Sequence, residues 1–334
     1  MAGIGSTYID LIDVEKSKNP DGSMAPVIEM LINMNPMLKD AYAVQCNNGT
    51  THRHTIRTGL PSVAWGALYK GITQSKSTKA QVDDTTGFVE GMSAVDVRLL
   101  ELTSNPGALR LSEAKAYLES IAQEVQEKMI YGNDATAPNE FMGLAPRFND
   151  PTAKNGNQII DGGGTGAINT SVWFITWGDS AVCTLYPEGT KAGIDRKDKG
   201  EQRVLDADGA PYFAMEETFT QHCGLAVKDW RYVVRIANID MDAVEAGTVD
   251  LYGLLRKGYY QHEGRRTKQG KTCIYMNTDI LEALDALATN AGASDSFVRL
   301  KPMEIQGEEV MSYRGLPIRE TDALVNTEAA ITFA

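Results

Sequence analysis

The sequence predicts a mixed α+β fold with extended polar appendages, and three observations support this prediction. Residues 112–131 place their apolar side chains on one face at a spacing of 3.6 residues, which is typical of an amphipathic helix. Residues 172–177 form a hydrophobic run typical of a strand buried on both faces. Residues 51–58 alternate polar side chains with few aliphatic ones, so this strand has little apolar surface to place in a core.

The composition is that of a globular protein with an acidic surface. The 334 residues, 43% of them hydrophobic, are enough for a sizeable core and for more than one folding unit. Lys and Arg number 32 against 44 Asp and Glu, which gives a formal net charge of -12. A protein that grips nucleic acid through its phosphates normally carries a basic face, so this charge argues against nucleic-acid binding as the main activity.

The chain shows no targeting segment. Met1 is followed by neither a basic nor an apolar region, and no run approaches the roughly 20 apolar residues of a membrane span. We expect the protein to be made and kept in the cytosol, or in particles released from it. The cysteines follow no CxxC spacing and sit in apolar or strand-like stretches, so we expect buried, reduced thiols at Cys46, Cys183, Cys223 and Cys273.

The N-terminal half is predicted to carry an arm and a long hairpin. Residues 1–22 are polar and end in a turn signal, and a short helix follows at 23–33 with Ser23 as its N-cap. Strands at 51–58 and 81–90 flank a polar tip at 71–79. An isolated hairpin of this size is marginal in water, so we expect it to lie on a neighbouring subunit.

The remaining elements are predicted from helix caps and hydrophobic runs. The helix at 112–131 begins at Ser112, stops at Gly132 and is about 30 Å long. We expect the strand at 172–177 to pair with 183–187, residues 193–209 to form an exposed excursion, and long strands to return at 225–236. A helix at 249–260, a strand at 271–277, a helix at 279–290 capped by Thr278, and short strands from Leu300 complete the chain.

A cluster of cations imitates a phosphate-binding loop. Residues 264–272 contain two glycines followed by Lys and Thr, but five residues separate the glycines where the P-loop has four, and a strand follows where the P-loop has a helix. A basic surface loop, in contact with another subunit or with DNA, is the better interpretation. Its contact residues are Arg265, Arg266, Lys268 and Lys271.

Other motifs also have structural interpretations. The glycine run at 162–166 is expected to be a flexible connection, and residues 206–209 a hairpin turn. His52 and His54 share a strand face and could chelate a metal, but no third ligand lies nearby, so exposed strand residues are favoured. His222 and Cys223 point to opposite faces of a strand and cannot form a catalytic pair. We therefore predict no catalytic, cofactor-binding or metal-binding residues.

Several segments spread over the chain resemble a known family of proteins. They are residues 19–22, 55–65, 75–82, 109–113, 131–133, 143–148, 229–238 and 314–319. Together they resemble the major capsid proteins of short-tailed phages of the epsilon-fifteen type, which have the Hong Kong 97-like fold. None of the segments is a catalytic motif, so their joint order carries the resemblance.

The resemblance implies a division of the chain and a function. The expected parts are an N-terminal arm and short helix at 1–50, an extended β-hairpin loop at 51–100, a peripheral domain at 101–235 around a spine helix, and an axial domain with the C-terminal strands at 236–334, the last two interleaved. Such a protein assembles into pentamers and hexamers that form an icosahedral shell around double-stranded DNA, without sequence-specific binding and without enzymatic activity.

The resemblance also implies partners and contacts. Relatives use a portal, often a scaffolding protein and sometimes a cementing protein, and they assemble in the host cytoplasm into the virion. No membrane and no cofactor is implied. The hairpin loop is expected to contact the next subunit through Val63, Trp65, Leu68, Lys76, Lys79, Val82 and Phe88.

Two alternatives stay open at the level of sequence. One is a soluble enzyme or ligand-binding protein with a site assembled from the scattered residues Glu216, Glu217, His222, Asp229 and His262. The other is the shell protein of an encapsulating nanocompartment, because such compartments share the fold.

Overall fold

A continuous β-sheet with helices packed on both faces forms the body of the protein. The computed structural model describes residues 36–103, 105–206, 208–267, 269–290, 300–305 and 308–333, so the helix predicted at 23–33 lies outside the described residues. The described helices are α1 (Pro36–Asp40), α2 (Val97–Leu102), α3 (Pro106–Tyr131), α4 (Leu144–Arg147), α5 (Met241–Glu245), α6 (Leu251–Gln261) and α7 (Thr278–Asn290). The described strands are β1 (Ala43–Gln45), β2 (Thr51–Gly59), β3 (Thr78–Asp96), β4 (Ile159–Asp161), β5 (Asn169–Trp177), β6 (Val182–Tyr186), β7 (Ile194–Leu205), β8 (Pro211–Val227), β9 (Val233–Asp240), β10 (Lys271–Met276), β11 (Lys301–Ile305), β12 (Glu308–Tyr313) and β13 (Leu316–Glu320).

The strand order places the most apolar strands in the centre and the polar hairpin at one edge. Along the sheet the order is β11-β12-β13-β10-β5-β6-β8-β3-β2. Off this path, β9 pairs with β5, β4 with β9, β7 with β8, and β1 with β6. Strand β2 is therefore held in the sheet through its partner β3, and the loop beyond it points away from the core.

Strand β5 separates two hydrophobic clusters. Trp173, Ile175 and Trp177 face the cluster that contains α3, whereas Val172 and Phe174 face the cluster that contains α6 and α7. Because successive side chains of a strand alternate between faces, a strand buried on both faces must be apolar at nearly every position. The sequence-based prediction of a doubly buried strand is confirmed.

The predicted partner of this strand pairs with it at a single position. Strands β5 and β6 meet only at Trp177 and Val182, in parallel orientation. Strand β5 instead lies between β9 and β10, both antiparallel to it. A turn at Gly178 connects β5 to β6. Strand β6 then pairs with β8 and β1 and extends the sheet toward the hairpin.

The long helix α3 begins earlier than its pattern predicts. Its N-cap is Asn105, whose side chain accepts a hydrogen bond from the Ala108 amide at 3.1 Å, and Pro106 occupies the first turn. The predicted N-cap Ser112 therefore lies within the helix. The end at Tyr131 is as predicted, and the 26 residues span about 39 Å.

The C-terminal elements follow the predicted order. Helix α6 begins at Leu251 after its N-cap Asp250, and β10 occupies the predicted strand. Helix α7 is capped by Asn277, whose side chain accepts from the Ile280 amide at 3.1 Å, so Thr278 is its first residue and not its cap. The short strands predicted from Leu300 are β11 to β13, which pair in an antiparallel meander.

Ile194–Leu205 form a strand within the segment 193–209, for which the sequence predicts an exposed excursion. Strand β7 pairs with β8 from Ile194 and Gln221 to Leu205 and Pro211, which makes a second long hairpin. Its turn is the predicted one, closed by the carboxylate of Asp206. Because β7 is largely charged on both faces, it shows no apolar alternation by which a strand is recognised. The strands predicted at 225–236 are interrupted by a 3₁₀ turn at Trp230–Tyr232.

Candidate functional site: the extended hairpin and its supports

The extended hairpin consists of β2, the tip at residues 60–77 and the first part of β3. The two strands pair antiparallel from Thr51 and Thr85 to Gly59 and Thr78. The two strands form where the sequence predicts them, but the connection at 60–77 is longer than the polar tip predicted at 71–79. Beyond Thr86, strand β3 pairs with β8 in the body, so only the segment up to about that residue projects.

The tip exposes several large apolar side chains. Trp65 and Tyr69 are fully exposed, with relative accessibilities of 102% and 107%. The other exposed apolar side chains of the tip are Leu60, Val63, Leu68 and Ile72. A soluble monomer rarely presents a cluster of this kind, and such clusters mark contact surfaces.

The predicted contact residues fall into two groups. Val63, Trp65, Leu68, Lys76 and Lys79 lie on the tip or at its margin and are exposed, and their role in contacts stays a prediction. The other two predicted residues are Val82 and Phe88. Val82 is half-buried within the hairpin, and Phe88 lies on the body part of β3, where its ring is 5.8 Å from that of His222.

The hairpin is a basic segment on an acidic protein. Residues 51–86 contain five cationic side chains against two carboxylates, Asp83 and Asp84. The remaining 27 Lys and Arg against 42 Asp and Glu leave the rest of the chain at -15. The cations of the hairpin are Arg53, Arg57, Lys70, Lys76 and Lys79.

A buried ion pair ties the base of the hairpin to the body. The carboxylate of Asp84 is 3% exposed and lies 2.8 Å from Nη1 of Arg147, the last residue of α4. Nη2 of Arg147 also donates to the Leu225 carbonyl at 3.0 Å. One guanidinium thus links the hairpin strand β3 to strand β8 where the hairpin leaves the body.

The two histidines of β2 lie beside this ion pair. His52 is 7% exposed and His54 is half-buried, with its Nδ1 3.5 Å from Oδ2 of Asp84. The prediction of exposed strand residues is therefore wrong, because the hairpin base is covered by the body. Burial lowers the pKa of both histidines. Among the described residues, no group of three or more His, Cys, Asp or Glu side chains could hold a metal ion.

A second polar cluster joins α3 to the β7–β8 hairpin. The carboxylate of Glu217, on β8, is 3% exposed and forms ion pairs with Arg110 and Arg196, the latter at 2.6 Å. Arg110 also lies 2.9 Å from Asp198 on β7. These charges satisfy one another within the chain, so Glu217 has a structural role.

The cations of the basic loop predicted at 264–272 have different partners in the structure. The guanidinium of Arg265 lies 5.2 Å from the ring centre of Tyr260, and Arg266 is 3.7 Å from Glu263. Lys271 forms an internal ion pair with Asp40, and Lys268 lies outside the described residues. The role of these four residues in contacts stays a prediction, which the exposed Arg266 and the half-buried Arg265 fit better than Lys271.

The residues considered for an enzyme do not converge on one site. His262 is buried, its Nε2 lies 3.0 Å from the Tyr232 carbonyl, and burial lowers its pKa to about 4. Asp229 caps a 3₁₀ turn and pairs with Arg231 at 2.7 Å. Glu216 and Glu217 are adjacent on β8 and point to opposite faces.

The cysteine side chains are structural, and the described helices do not span a membrane. All four cysteines are buried and unpaired, as predicted. Burial raises the pKa of each thiol, which keeps it protonated and unreactive. None of the described helices is long and apolar enough to cross a bilayer.

Comparison with known families identifies the family to which this fold belongs. Residues 19–332 match the family described as major capsid protein GP7. The chain belongs to the major capsid protein GP7 family. This capsid protein is a structural subunit of a phage shell and a component of the virion, and it is not an enzyme.

Solved structures agree with the family. A chain in a near-atomic structure of bacteriophage Epsilon15 is 33% identical to the capsid protein over 100% of both chains, with a TM-score of 0.79. The bacteriophage JBD30 capsid is similar in fold alone, at 8% identity and a TM-score of 0.51 over 87% of this chain and 91% of that chain. The holo-SrpI encapsulin of Synechococcus elongatus is more distant, with a TM-score of 0.46 at 10% identity over 70% of this chain and 96% of that chain, and does not favour a nanocompartment. No curated protein matches the chain.

Proposed function

We propose that this capsid protein assembles into pentamers and hexamers in which the extended hairpin of each copy lies on an adjacent copy. The observation that carries the proposal is the full exposure of Trp65 and Tyr69 at the end of a polar two-stranded stalk. A buried aromatic side chain removes some 150–250 Å² from water, at roughly 25 cal/mol per Å², before the cost of ordering. Repeated in every copy, such contacts stabilise a shell.

Charge supports the same arrangement. A hairpin with five cations against two carboxylates is attracted to the strongly acidic remainder of another copy. The same charges discourage the hairpins from associating with one another, because like charges brought together in an interface are unfavourable. The hairpin is therefore suited to lie on the body of a neighbour.

The wider arrangement belongs to this proposal too. The part of the chain around α3 acts as the peripheral domain, and the part around α6 and α7 acts as the axial domain near the symmetry axes. The shell assembles in the host cytoplasm and encloses double-stranded DNA. A portal, a scaffolding protein and a cementing protein are partners that the family resemblance suggests.

The test replaces the tip by a tight turn. Gly59 and Thr78 are already paired, so residues 60–77 can be exchanged for a two-residue Asn-Gly connection without disturbing either strand. We expect a folded, soluble subunit that forms no stable shells, as seen by negative-stain imaging and sedimentation. Normal shells from this variant would refute the proposal.

A variant of the tip and a matched control show whether assembly depends on the apolar side chains of the tip or on exposed apolar side chains in general. Trp65→Ser and Tyr69→Ser together should reduce shell yield, whereas Leu111→Ser changes an exposed apolar side chain on α3 and should leave it near the wild-type level. An equal loss in both variants would attribute the effect to the overall surface and not to the hairpin.

A further inference from the structure

Helix α6 lies between two surfaces of opposite charge. Near its N-terminal end, a groove of about 650 Å³ opens between α5 and α7. We call this the acidic groove, and its carboxylates are Asp242, Glu245, Asp279 and Glu282. Its apolar side chains include Ile168, Met241, Val249 and Leu287. No Lys, Arg or His is among the described residues that line it, so its negative charge is not neutralised within the lining.

Near the other end of α6 lies a cluster of arginines and tyrosines. We call it the arginine–tyrosine patch, and it consists of Tyr259, Tyr260, Arg265, Arg266 and Arg314. Arg314 stacks 5.3 Å from the ring centres of both Tyr259 and Tyr260 and donates to the hydroxyl of Tyr260 at 3.1 Å. Tyr260 remains 55% exposed. Arginine and tyrosine are the residue types most enriched at the centres of protein interfaces.

Arg314 has a left-handed backbone conformation, which is unfavourable for a residue with a long side chain. Arg314 and Gly315 form the two-residue turn between β12 and β13, with φ angles of 52° and 80°. A turn of this kind favours Asn, Asp or Gly at its first position, and another residue there is unfavourable. An arginine at that position points to a use for its guanidinium beyond closing the turn.

The two surfaces cannot satisfy each other within one chain. Leu251 lines the groove and Tyr260 belongs to the patch, and nine residues of helix separate them by about 14 Å. The hydroxyl of Tyr252 donates to the Leu284 carbonyl at 2.9 Å, which fixes α6 against α7. At this separation the exposed charges are largely screened from each other, so each surface is available to another molecule.

We infer that the arginine–tyrosine patch of one copy docks on the acidic groove of the next copy around the ring of a capsomer. A patch at one end of a rigid unit and its complement at the other end make a head-to-tail contact, which closes into a ring when the rotation between copies permits. The inference rests on the proposed pentamers and hexamers and names the surfaces that join their members.

The partner that the observations favour is a second copy of this chain. Three arginines with only Glu263 among them match a groove with four carboxylates, and the exposed tyrosine matches its apolar side chains. Nucleic acid would suit the patch but not the acidic groove. The hairpin tip would suit the groove but would leave the patch unused. Only a copy of the chain accounts for both surfaces.

A charge swap tests the inference in the full-length protein. The patch variant carries Arg265→Glu and Arg314→Glu, and the groove variant carries Glu245→Lys and Glu282→Lys. Each should lower the yield of capsomers about tenfold or more, because like charges then meet across the contact. The variant that carries all four changes should recover most of the yield. A control variant, Lys154→Glu with Lys191→Glu, reverses two exposed lysines on other loops and should assemble as the wild type.

The outcomes separate this inference from the proposed function. If the wild type forms no pentamers or hexamers, the proposed function itself fails. If rings form and the swap gives no recovery, the inference is overturned. Loss in the groove variant alone would assign the groove to the hairpin tip, and normal rings with reduced DNA retention in the patch variant would assign the patch to nucleic acid. Either result also overturns it.

Discussion

Nη1 of Arg147 lies 2.8 Å from Oδ1 of Asp84, and this contact connects the base of the extended hairpin to the body of the subunit. The carboxylate is almost entirely buried, and the same guanidinium reaches the carbonyl of Leu225 on β8. This interaction therefore joins β3 to β8 at the point where β3 passes from the hairpin into the body of the sheet.

Removing the charge of Asp84 should destabilise the subunit. In Asp84→Asn the Arg147 guanidinium loses its anionic partner in a buried place, which costs about 3 kcal/mol in the free energy of unfolding. The matched control is Asp83→Asn, since Asp83 pairs with Arg53 at 2.7 Å on the exposed side of the same strand and should cost less than about 1 kcal/mol. Urea unfolding of the unassembled subunit measures both. Equal losses would show that burial of the pair is unimportant.

The extended hairpin could be predicted because local signals specify it. Alternating polar residues on both sides of a glycine-containing tip predict two strands, and the scarcity of apolar side chains predicts that they leave the core. The body pairing of β3 beyond Thr86 could not be predicted. It depends on β8, more than a hundred residues later, and no local pattern reports such a partner.

The buried polar contacts of the body could not be predicted either, because they join residues that are far apart in the sequence. Arg235 and Glu328 form an ion pair at 2.8 Å with both side chains about 5% exposed, and Tyr131 donates to the same carboxylate at 2.6 Å. Burial and the Glu328 charge raise the pKa of Tyr131 well above its usual value, so it stays a donor. These residues are far apart in the sequence, and each alone resembles an ordinary surface residue.

The glycine run at 162–166 shows how composition can mislead. Its composition predicts a flexible connection, but the amides of Gly162 and Gly164 donate to the carbonyls of Ala237 and Asn238 at 2.8 Å. A Cβ on Gly162 would lie 2.6 Å from the Asn238 carbonyl oxygen. Glycine is needed here for a close approach to β9, which sequence alone does not distinguish from flexibility.

A methyl group at Gly87 should separate β3 from the loop that covers it. A Cβ there would lie 2.8 Å from the backbone oxygen of Asn139, which cannot move as a side chain can. We expect Gly87→Ala to lower the free energy of unfolding by about 1–3 kcal/mol. Gly66→Ala, in open space at the tip, is the control and should be close to neutral. Thermal unfolding of the subunit compares them, and a neutral Gly87→Ala would show that the loop can shift.

Acid should weaken the fold partly through His262. Its imidazole is buried against Thr176 and the Tyr232 carbonyl, and burial lowers its pKa to about 4 in the folded protein. The unfolded chain, with a histidine pKa of about 6.5, binds the proton first, so stability falls as the pH drops from about 6.5 to 4. The loss from this residue is about 3 kcal/mol.

The variant His262→Gln tests whether protonation of His262 lowers the stability at acidic pH. Urea unfolding at pH 7 and at pH 4.5 should show a smaller difference in the variant than in the wild type, because glutamine does not titrate. Carboxylates that protonate over the same range affect both proteins and cancel in the comparison. If the variant loses as much stability as the wild type on acidification, His262 does not contribute to the acid sensitivity.

Salt should slow assembly through the cations near the hairpin tip. Lys76 and Lys79 are exposed, and residues 60–82 around them contain no carboxylate, so their attraction to an acidic neighbour acts over the Debye length of about 10 Å at 0.1 M salt. We expect the double variant Lys76→Glu with Lys79→Glu to assemble more slowly at low salt and to lose most of the salt dependence of the wild type. Light scattering over a series of salt concentrations measures the rate. Lys154→Glu with Lys191→Glu changes the net charge by the same amount and should keep the wild-type dependence, because only charges at the contact steer the encounter. A control that slows equally would assign the effect to net charge.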